Sequence, residues 1–214
     1  DAVPADNHLT ERLLAPFADS KTGAAYARQI VFPGADAMER YTHLFNYPAE
    51  SSVKTREDLD RLGIKAYFCS DVCAAYRHSA YDAGGFVRHT IFNEDMLMAA
   101  AMLDAGYSIC YQARARVYHS HQYTALQQFK RNFDLGVSHR QYREVFERVR
   151  TESEGVRLVA DTAKYLIRSG NGLLIPKLIL HSACKYFGYL LGKNYDRLPD
   201  RAVKACSMCR HYWK

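Results

Sequence analysis

Two adjacent carboxylates open an apolar stretch near the middle of the chain. Glu94 and Asp95 follow Asn93 and precede residues 96–103, a run of Met, Leu and Ala with the pattern of a buried helix. An acid at the mouth of a core can remove a proton or bind a cation. Acids in the first turn of a helix also complement its dipole, so a purely structural role stays open. Because neighbouring helical side chains point in different directions, we expect only one of the two acids to face a cleft.

A pair of imidazoles follows at the end of a strand-like run. His119 and His121 are two residues apart, so on a strand their side chains share one face. The two rings could bind one metal ion together, or one ring could bind the ion while the second supports the first. A strand-end histidine bonded to the backbone is the structural alternative. A nitrogen ligand favours Mn²⁺ or a mixed nitrogen and oxygen site, for which Asp1 is the obvious oxygen ligand.

A third polar group lies a few residues further along. Gln128 and Arg131 are three residues apart and Gln127 and Arg131 four, so either glutamine shares a helix face with the arginine. A guanidinium can bind two oxygens of one phosphate group. The same spacing is equally compatible with a solvated basic face.

These groups need a scaffold of helices and strands to bring them together. Apolar periodicity predicts helices, in chain order, over residues 6–18, 38–47, 74–81 and 94–105. The strand predictions fall on residues 23–30, 66–69, 107–112 and 115–119. The polar residues 49–65 are expected to form a surface excursion or a lid, and Gly84-Gly85-Phe86 a sharp turn. Short strands that alternate with helices indicate an α/β layer.

From Thr124 onward the pattern becomes helical and basic. Leu126, Phe129, Phe133 and Val137 fall on one helical face, and helical spacing continues to a break at 170–172. Residues 1–125 carry 12 Lys and Arg against 15 Asp and Glu, whereas residues 126–214 carry 17 against 8. We therefore predict two domains, an α/β domain over 1–123 and a basic helical extension over 124–214.

Residues 172–193 form the most apolar part of the extension. Leu, Ile, Phe and Tyr dominate it, with Lys177, Lys185 and Lys193 spaced along it. Packing inside the extension and docking on an anionic membrane surface both fit this pattern. The sequence has no run of 18 or more apolar residues, so no membrane-spanning helix is predicted.

The six cysteines favour a reducing compartment. A chain this rich in core residues does not need disulfide staples, and no secretory signal is visible. Cys206 and Cys209 could form half of a zinc site, but no second pair stands at suitable spacing. Aromatic signatures of RNA-binding modules are also missing, so we expect no nucleic-acid partner.

The order of the motifs resembles a known enzyme family. In sequence the chain carries Asp-Ala-Val-Pro-Ala-Asp at 1–6, Tyr-Asp-Ala-Gly-Gly-Phe at 81–86, Asn-Glu-Asp at 93–95, Ala-Gly-Tyr at 105–107, Val-Tyr-His at 117–119 and Gln-x-x-Arg at 128–131. This order resembles the catalytic half of a family 2 glycosyltransferase of the GT-A fold, a Rossmann-like α/β fold. Within that family it is most similar to bacterial rhamnosyltransferases that build surface polysaccharide. The likeness covers residues 1 to about 140 and is weaker in the helical remainder.

The resemblance assigns a role to each matching residue. It implies that Asp95 is the general base for the acceptor hydroxyl, with Glu94 in support. Asp1 looks like the last acid of the motif that holds a divalent metal, Mn²⁺ or Mg²⁺, and His119 like the histidine that completes that metal site. The remaining motif positions are expected to bind the donor diphosphate or the acceptor; they are Gly85, His121, Gln128 and Arg131.

The implied activity is inverting sugar transfer from a nucleoside-diphosphate donor to a glycan or lipid-linked glycan acceptor, with rhamnose as the candidate sugar. The chain begins without Met or a preceding strand, so we expect a nucleotide-binding half to belong before residue 1. From the cysteines and the pattern of the extension we expect a cytoplasmic enzyme, with 172–193 available for peripheral contact at the inner face of the membrane. The alternatives are a metal-dependent hydrolase that uses His119, His121 and Asp95, and a non-catalytic membrane-surface module.

Overall fold

The structure is a computed structural model that describes residues 2–85, 89–149 and 152–213, apart from the side chains of 152–154. The chain divides into two compact units. The first contains the described residues within Asp1–Arg88, Asp95–His121 and Val149–Glu154. The second contains those within His89–Glu94, Gln122–Arg148 and Gly155–Lys214. Each unit is described separately below.

The first unit is built on a five-stranded mixed sheet. Its strands are β1 (Val3–Pro4), β2 (Thr22–Ile30), β3 (Ser52–Lys54), β4 (Ala74–Tyr76) and β5 (Ser108–Tyr118). The long strands β2 and β5 run parallel at its centre, and β4 pairs antiparallel with the free edge of β2. The other edge of β5 pairs antiparallel with both short strands, β1 and β3. The α/β layer predicted from the sequence is therefore confirmed as a mixed α/β arrangement.

Within the described residues, five helices belong wholly or mainly to this unit. They are α1 (Leu9–Leu14), α2 (Ala37–Asn46), α3 (Leu59–Leu62), α4 (His78–Gly84) and α5 (Glu94–Asp104), the last of which enters the first unit at Asp95. Asp36 caps α2 by accepting a hydrogen bond from the backbone of Glu39. Leu13 on α1 packs into a core with Ala25, Ala27 and Val117 of the central strands. Small residues on β2 allow this close packing of helix on sheet.

Two predictions for residues 66–81 are wrong. Ala66 ends a 3₁₀ turn, Gly63–Ala66, and no strand follows before β4 within this described stretch. Residues 74–76 form β4 rather than the start of a helix, because their backbone pairs with Ala24, Ala25 and Tyr26 on β2. The helix begins only at His78. Alanines have no strong strand preference of their own, so pairing with an existing strand decided their conformation.

The prediction of a surface excursion or a lid at residues 49–65 is also wrong in part. Residues 52–54 are β3, paired with Tyr111, Cys110 and Ile109 of β5, and α3 follows. The two strands predicted at 107–112 and 115–119 are a single strand, β5. A register shift opposite Ala27 and Arg28 interrupts its ladder with β2, which explains why the alternating pattern breaks there.

The second unit is helical. It contains α6 (Ala125–Gln141), α7 (Arg143–Phe146), α8 (Glu152–Arg168, from Gly155 onward), α9 (Ile175–Lys193) and α10 (Asp200–Cys206). Thr124 and Gln127 form a capping box that starts α6. Gly170, at a φ of 72°, follows the end of α8, as the predicted break at 170–172 requires. Of the residues predicted to share one helical face, Phe133 and Val137 are fully buried, whereas Leu126 is 63% exposed.

Helices α6 and α9 pack with their backbones in contact. A Cβ atom added at Gly188 would overlap the carbonyl oxygen of Phe129, and one at Gly192 would overlap that of Phe133. Gly136 faces α9 in the same way, against the backbone of Tyr189. Glycines four residues apart on α9 thus make the close approach possible.

Helix α9 keeps a large apolar surface exposed. Its exposed large apolar residues lie on one face of the helix, and they include Ile179, Leu180, Tyr186, Phe187 and Leu190. Lys177 and Lys193, near the two ends of the helix, are exposed as well. No helix in the described part of the chain is both long enough and apolar enough to cross a bilayer.

Candidate functional site

The predicted site residues fall into both units. Asp1 lies outside the described residues. Those in the first unit are Gly85, Asp95, His119 and His121, and those in the second are Glu94, Gln128 and Arg131.

The two adjacent acids at the start of α5 have different surroundings. Asn93 precedes them with a φ of 66°, a left-handed conformation that asparagine tolerates better than most residues. Glu94 is exposed, whereas Asp95 is half-buried in the first turn. The Asp95 Oδ1 atom accepts a hydrogen bond from the Met96 amide at 2.7 Å. Only Asp95 therefore combines partial burial with access to solvent.

A buried lysine lies within electrostatic range of Asp95. Lys54, on β3, is 4% exposed, and its Nζ donates hydrogen bonds to the Phe68 carbonyl oxygen and, at 3.2 Å, to the Tyr26 hydroxyl. Burial lowers the pKa of Lys54 to about 8, while negative charge at neighbours that include Asp95 acts in the opposite direction. Sequence reasoning missed Lys54, because a single lysine in a polar stretch gives no signal of burial.

His119 is held by a chain of buried polar side chains. Its Nδ1 is 2.9 Å from Gln29 Oε1, and Gln29 Nε2 donates to Ser70 Oγ at 2.7 Å. Gln29 is 6% exposed and Ser70 7%. Cys69, next to Ser70, is also close enough to feel the Asp95 charge, which acts in the same direction as burial to raise the pKa of this thiol. The segment at residues 68–70 thus connects the surroundings of Asp95 to those of His119.

The backbone of His119 is fixed as well. Its amide donates to the Ile30 carbonyl oxygen at 3.0 Å, which extends the pairing of β5 with β2 by one residue. His43, on α2, is 2.9 Å from the His119 carbonyl oxygen through Nε2 and 3.1 Å from the Glu39 carbonyl oxygen through Nδ1. Ring and backbone of His119 are both anchored to the first unit.

The two imidazoles predicted to share a face are in contact. His121 Nε2 lies 3.0 Å from His119 Nε2, with the rings nearly perpendicular. Metal–nitrogen bonds of about 2.0–2.1 Å would place two ligating nitrogens at about this separation. The described residues contain no group of three His, Cys, Asp or Glu that could hold a metal ion. The imidazole pair alone therefore does not complete a metal site within the described residues, and Asp1, which was expected to supply the oxygen ligand, lies outside them.

In the second unit, the structure separates the roles of the two glutamines. Gln127 Oε1 accepts from the Thr124 amide at 2.8 Å, so this side chain caps α6. Gln128 is half-buried, and the capping box is formed by Thr124 and Gln127. Arg131 is exposed, with its guanidinium carbon 4.6 Å from the centre of the Phe92 ring and 5.6 Å from that of Tyr123. The aromatic rings restrain the guanidinium, and its positive charge also acts on the Asp134 carboxyl, whose pKa it lowers against the raising effect of burial.

Lys185 on α9 adds a second cation to this region of the second unit. Burial lowers the pKa of Lys185, and the positive charge of Arg131 lowers it further. Two nearby cations favour an anionic ligand such as a phosphate group. The regular lysine spacing was the sequence signal, but it did not distinguish Lys185 from Lys177 and Lys193.

Gly85 follows the end of α4 at a φ of 72°, and a Cβ atom there would meet nothing within 4 Å. The left-handed backbone, rather than lack of space, therefore requires glycine at this position. Phe86, the last residue of the predicted sharp turn, lies outside the described residues.

Comparison with known proteins identifies relatives along the whole chain. No family model matches it. The chain is 38% identical to the O-antigen chain rhamnosyltransferase WbaN of Salmonella anatum over 215 aligned positions, which cover all of this chain and 68% of that protein. It is 37% identical, with the same coverage, to the O-antigen chain rhamnosyltransferase RfbN of Salmonella typhimurium strain LT2. The chain therefore belongs to the family of these rhamnosyltransferases and is a glycosyltransferase.

Proposed function

We propose that the protein transfers rhamnose from a nucleoside-diphosphate donor to a glycan or lipid-linked glycan during synthesis of a bacterial surface polysaccharide. The observation that carries this proposal is the identity of 38% and 37% to two O-antigen chain rhamnosyltransferases over the full length of the chain. The half-buried Asp95 and the anchored imidazole pair in the first unit give such a reaction its chemical groups. No observation within the described residues favours the alternative of a metal-dependent hydrolase.

The fold assignment that goes with this proposal is the second half of a family 2, GT-A domain followed by a helical extension. Its support is the order of the motifs together with their places on the elements. Asp95 lies in the first turn of a helix, and His119 directly follows a central strand that runs parallel to its neighbour. The carboxyl ends of parallel strands are where open α/β sheets bind ligands.

The proposed reaction is a single displacement at the anomeric carbon. Asp95 takes the proton of the acceptor hydroxyl as that oxygen forms the new glycosidic bond. The bond between the anomeric carbon and the donor diphosphate breaks, and the diphosphate leaves with the electron pair. Attack from the face opposite the leaving group inverts the anomeric configuration. Glu94 supports Asp95 from the same helix start.

The leaving diphosphate needs compensation for its growing negative charge. We assign Asp1 and His119 to a divalent cation, Mn²⁺ or Mg²⁺, which when bound would offset this charge. Arg131 would donate N–H groups to diphosphate oxygens, with Gln128, Gly85 and His121 lining the donor or acceptor.

Replacement of the base tests the proposal. We expect Asp95→Asn in the full-length enzyme to lower kcat by about a thousandfold, since an amide cannot accept the acceptor proton. The matched control is Asp104→Asn, at the far end of the same helix. The Asp104 carboxylate makes only a long ion pair there, with its Oδ1 atom 4.0 Å from Arg56 Nε. Thermal unfolding of both variants should match the wild type. Product formation by Asp95→Asn at the control's rate would remove Asp95 from the reaction, and retention of anomeric configuration in the product would contradict a single displacement.

We also propose that the enzyme works in the cytoplasm, attached to the inner face of the membrane through α9. The support is the apolar exposed face of this helix, on which Ile179 is 63% and Phe187 57% exposed, within a region of positive net charge. All six cysteines, every one of them in the described residues, carry free thiols, which fits a reducing compartment.

A further inference from the structure

The backbone turns sharply just before the two adjacent acids. Among the residues that the structure describes, Asn93 is the one non-glycine residue with a positive φ, at 66°. A residue that precedes a helix usually has an extended backbone instead. A left-handed backbone raises the free energy of a residue with a side chain, and such strain persists only where surrounding contacts enforce it. Contacts around Asn93 must therefore hold it in this conformation.

Helix α6 supplies these contacts through one buried hydroxyl. Asn93 is 4% exposed, and its Nδ2 atom donates a hydrogen bond to Ser138 Oγ at 3.3 Å. Either end of an amide can bond to a hydroxyl, so this contact does not depend on which way the amide is turned. Ser138 is fully buried, and its hydroxyl donates to the Phe92 carbonyl oxygen at 2.7 Å. The same hydroxyl thus contacts the Asn93 side chain and the peptide group that joins Phe92 to Asn93.

The rest of the segment before the acids is held to the same helix. The Arg131 guanidinium carbon lies 4.6 Å from the centre of the Phe92 ring. Ile91 packs against the buried apolar cluster of the second unit. The Tyr142 hydroxyl, just beyond the end of α6, donates to the His89 carbonyl oxygen. All of these contacts lie within the second unit, and they fix the segment along its length.

The acids follow directly from this fixed segment. Glu94 and Asp95 are the first two residues of α5, so the direction in which the helix starts is set by the backbone of Asn93. Asp95 Oδ1 accepts a hydrogen bond from the Met96 amide, which ties the carboxylate to the backbone of the first turn. A base must lie within hydrogen-bond distance of the hydroxyl it deprotonates, and misplacement by about 1 Å can slow a reaction by about a hundredfold.

We infer that Asn93 and Ser138 are positioning residues, because the left-handed backbone of Asn93, held to α6 through Ser138, sets where the Asp95 carboxylate lies. This rests on the proposed role of Asp95 as the base. Neither residue is assigned a contact with a substrate. Helix α6 thereby acquires a role in the reaction beyond Gln128 and Arg131, which the order of the motifs assigns to it.

The test compares two substitutions of Asn93 in the full-length enzyme. Asn93→Ala disfavours the left-handed backbone and removes the amide, so kcat should fall by about 10- to 100-fold while the KM of the nucleoside-diphosphate rhamnose stays within about threefold. Asn93→Gly accepts the left-handed backbone and removes only the amide, so kcat should fall by about threefold. Equal losses of kcat in the two variants would overturn the inference, because the backbone conformation would then not be the requirement.

Ser138→Ala tests the contact with α6 and covers the case in which Asn93→Ala does not fold. We expect it to lower kcat by about three- to tenfold. The matched control is Thr162→Ala in α8, which removes another buried hydroxyl, one that donates to the Leu158 carbonyl oxygen at 2.6 Å. Rates are compared at equal concentrations of folded protein. A kcat of Ser138→Ala equal to that of the control would overturn the inference.

Two further measurements distinguish positioning from a general loss of stability. The amides of residues 98–100 donate to the carbonyl groups of the first turn of α5, and their hydrogen exchange should speed up by about tenfold in Asn93→Ala and Ser138→Ala but not in Thr162→Ala. The solvent deuterium isotope effect on kcat should also rise in the first two variants, because proton transfer to a displaced base becomes slower. Unchanged exchange at 98–100 in both variants would overturn the inference, whatever their activity.

The outcomes also separate this inference from the proposed base. If Asp95→Asn transfers the sugar at the rate of Asp104→Asn, Asp95 is not the base, and the positioning role fails with it. If Asp95→Asn is inactive while Asn93→Ala and Ser138→Ala match Thr162→Ala in kcat, the base stands and only the positioning role is wrong.

Discussion

At the scale of residues, neighbours of the same type have different surroundings in the fold. Glu94 is exposed and Asp95 is half-buried, although they are adjacent. Gln127 is used in the cap of α6, which leaves Gln128 as the glutamine available to share a face with Arg131. Sequence spacing predicted that adjacent side chains on a helix point in different directions. It could not tell which of the two would be buried, because that depends on which side of the helix packs against the rest of the protein.

The burial of Lys54 predicts how the stability of the protein depends on pH. Its pKa falls from 10.5 in an exposed side chain to about 8 when it is buried in the folded state. Between these two values the unfolded chain holds a proton that the folded chain has released, so the free energy of unfolding should rise with pH in this window. The full effect is about 3 kcal/mol, since each pKa unit corresponds to about 1.4 kcal/mol.

The measurement is urea unfolding of the wild type and Lys54→Met at pH 7.5 and 9.5. Cysteines and tyrosines titrate in the same range, but their contribution is largely common to both proteins. We expect stability of the wild type to rise by about 2 kcal/mol more than that of Lys54→Met over this interval. Parallel pH dependence in the two proteins would mean that Lys54 remains charged in the folded state.

At the scale of elements, the second unit depends on the contact of α6 with α9. Gly188 and Gly192 let the backbone of α9 approach the carbonyl groups of Phe129 and Phe133. Helix α9 is therefore part of the core of this unit, and its deletion would unfold what it packs against. A test of its surface role must change exposed side chains and leave the helix in place.

The glycine contact gives an element-scale prediction. Gly192→Ala should lower the free energy of unfolding by about 3 kcal/mol, because the added Cβ overlaps backbone atoms that cannot move independently. Gly155→Ala in α8 is the matched control. A Cβ there meets nothing within 4 Å, so the helix should gain about 0.5–1 kcal/mol. Equal free energies of unfolding for the two variants, measured by denaturant unfolding, would show that α6 and α9 are less tightly packed than the structure indicates.

At the scale of the whole molecule, the excess of positive charge and the exposed apolar surface belong to the same part of the chain. Residues 126–214 carry 17 Lys and Arg against 8 Asp and Glu, and the exposed apolar face of α9 belongs to the same stretch. Apolar insertion and electrostatic attraction can add in binding to an anionic membrane.

The whole-molecule prediction concerns vesicle binding. Ile179→Glu combined with Phe187→Glu should weaken binding to vesicles containing phosphatidylglycerol by at least about tenfold, because burial of each large apolar side chain contributes about 1.5–3 kcal/mol. Val156→Glu, at a position 73% exposed on α8, is the control and should bind nearly as the wild type. Added salt should weaken binding of wild type and control alike. Identical binding by the double variant would exclude α9 from the membrane contact.

By itself, the sequence determined the features that depend on local patterns. The helix at 94–104, its stop at Gly106 with a φ of 86°, the break near Gly170 and the order of motifs all follow from residues close together in the chain. Tertiary structure alone decided that residues 74–76 are a strand, that Lys54 is buried and that the Gln29 side chain contacts the His119 ring. Each of these depends on a partner between about 40 and 90 residues away, and hydrogen bonding and burial at such separations are set by how the elements pack rather than by any nearby pattern.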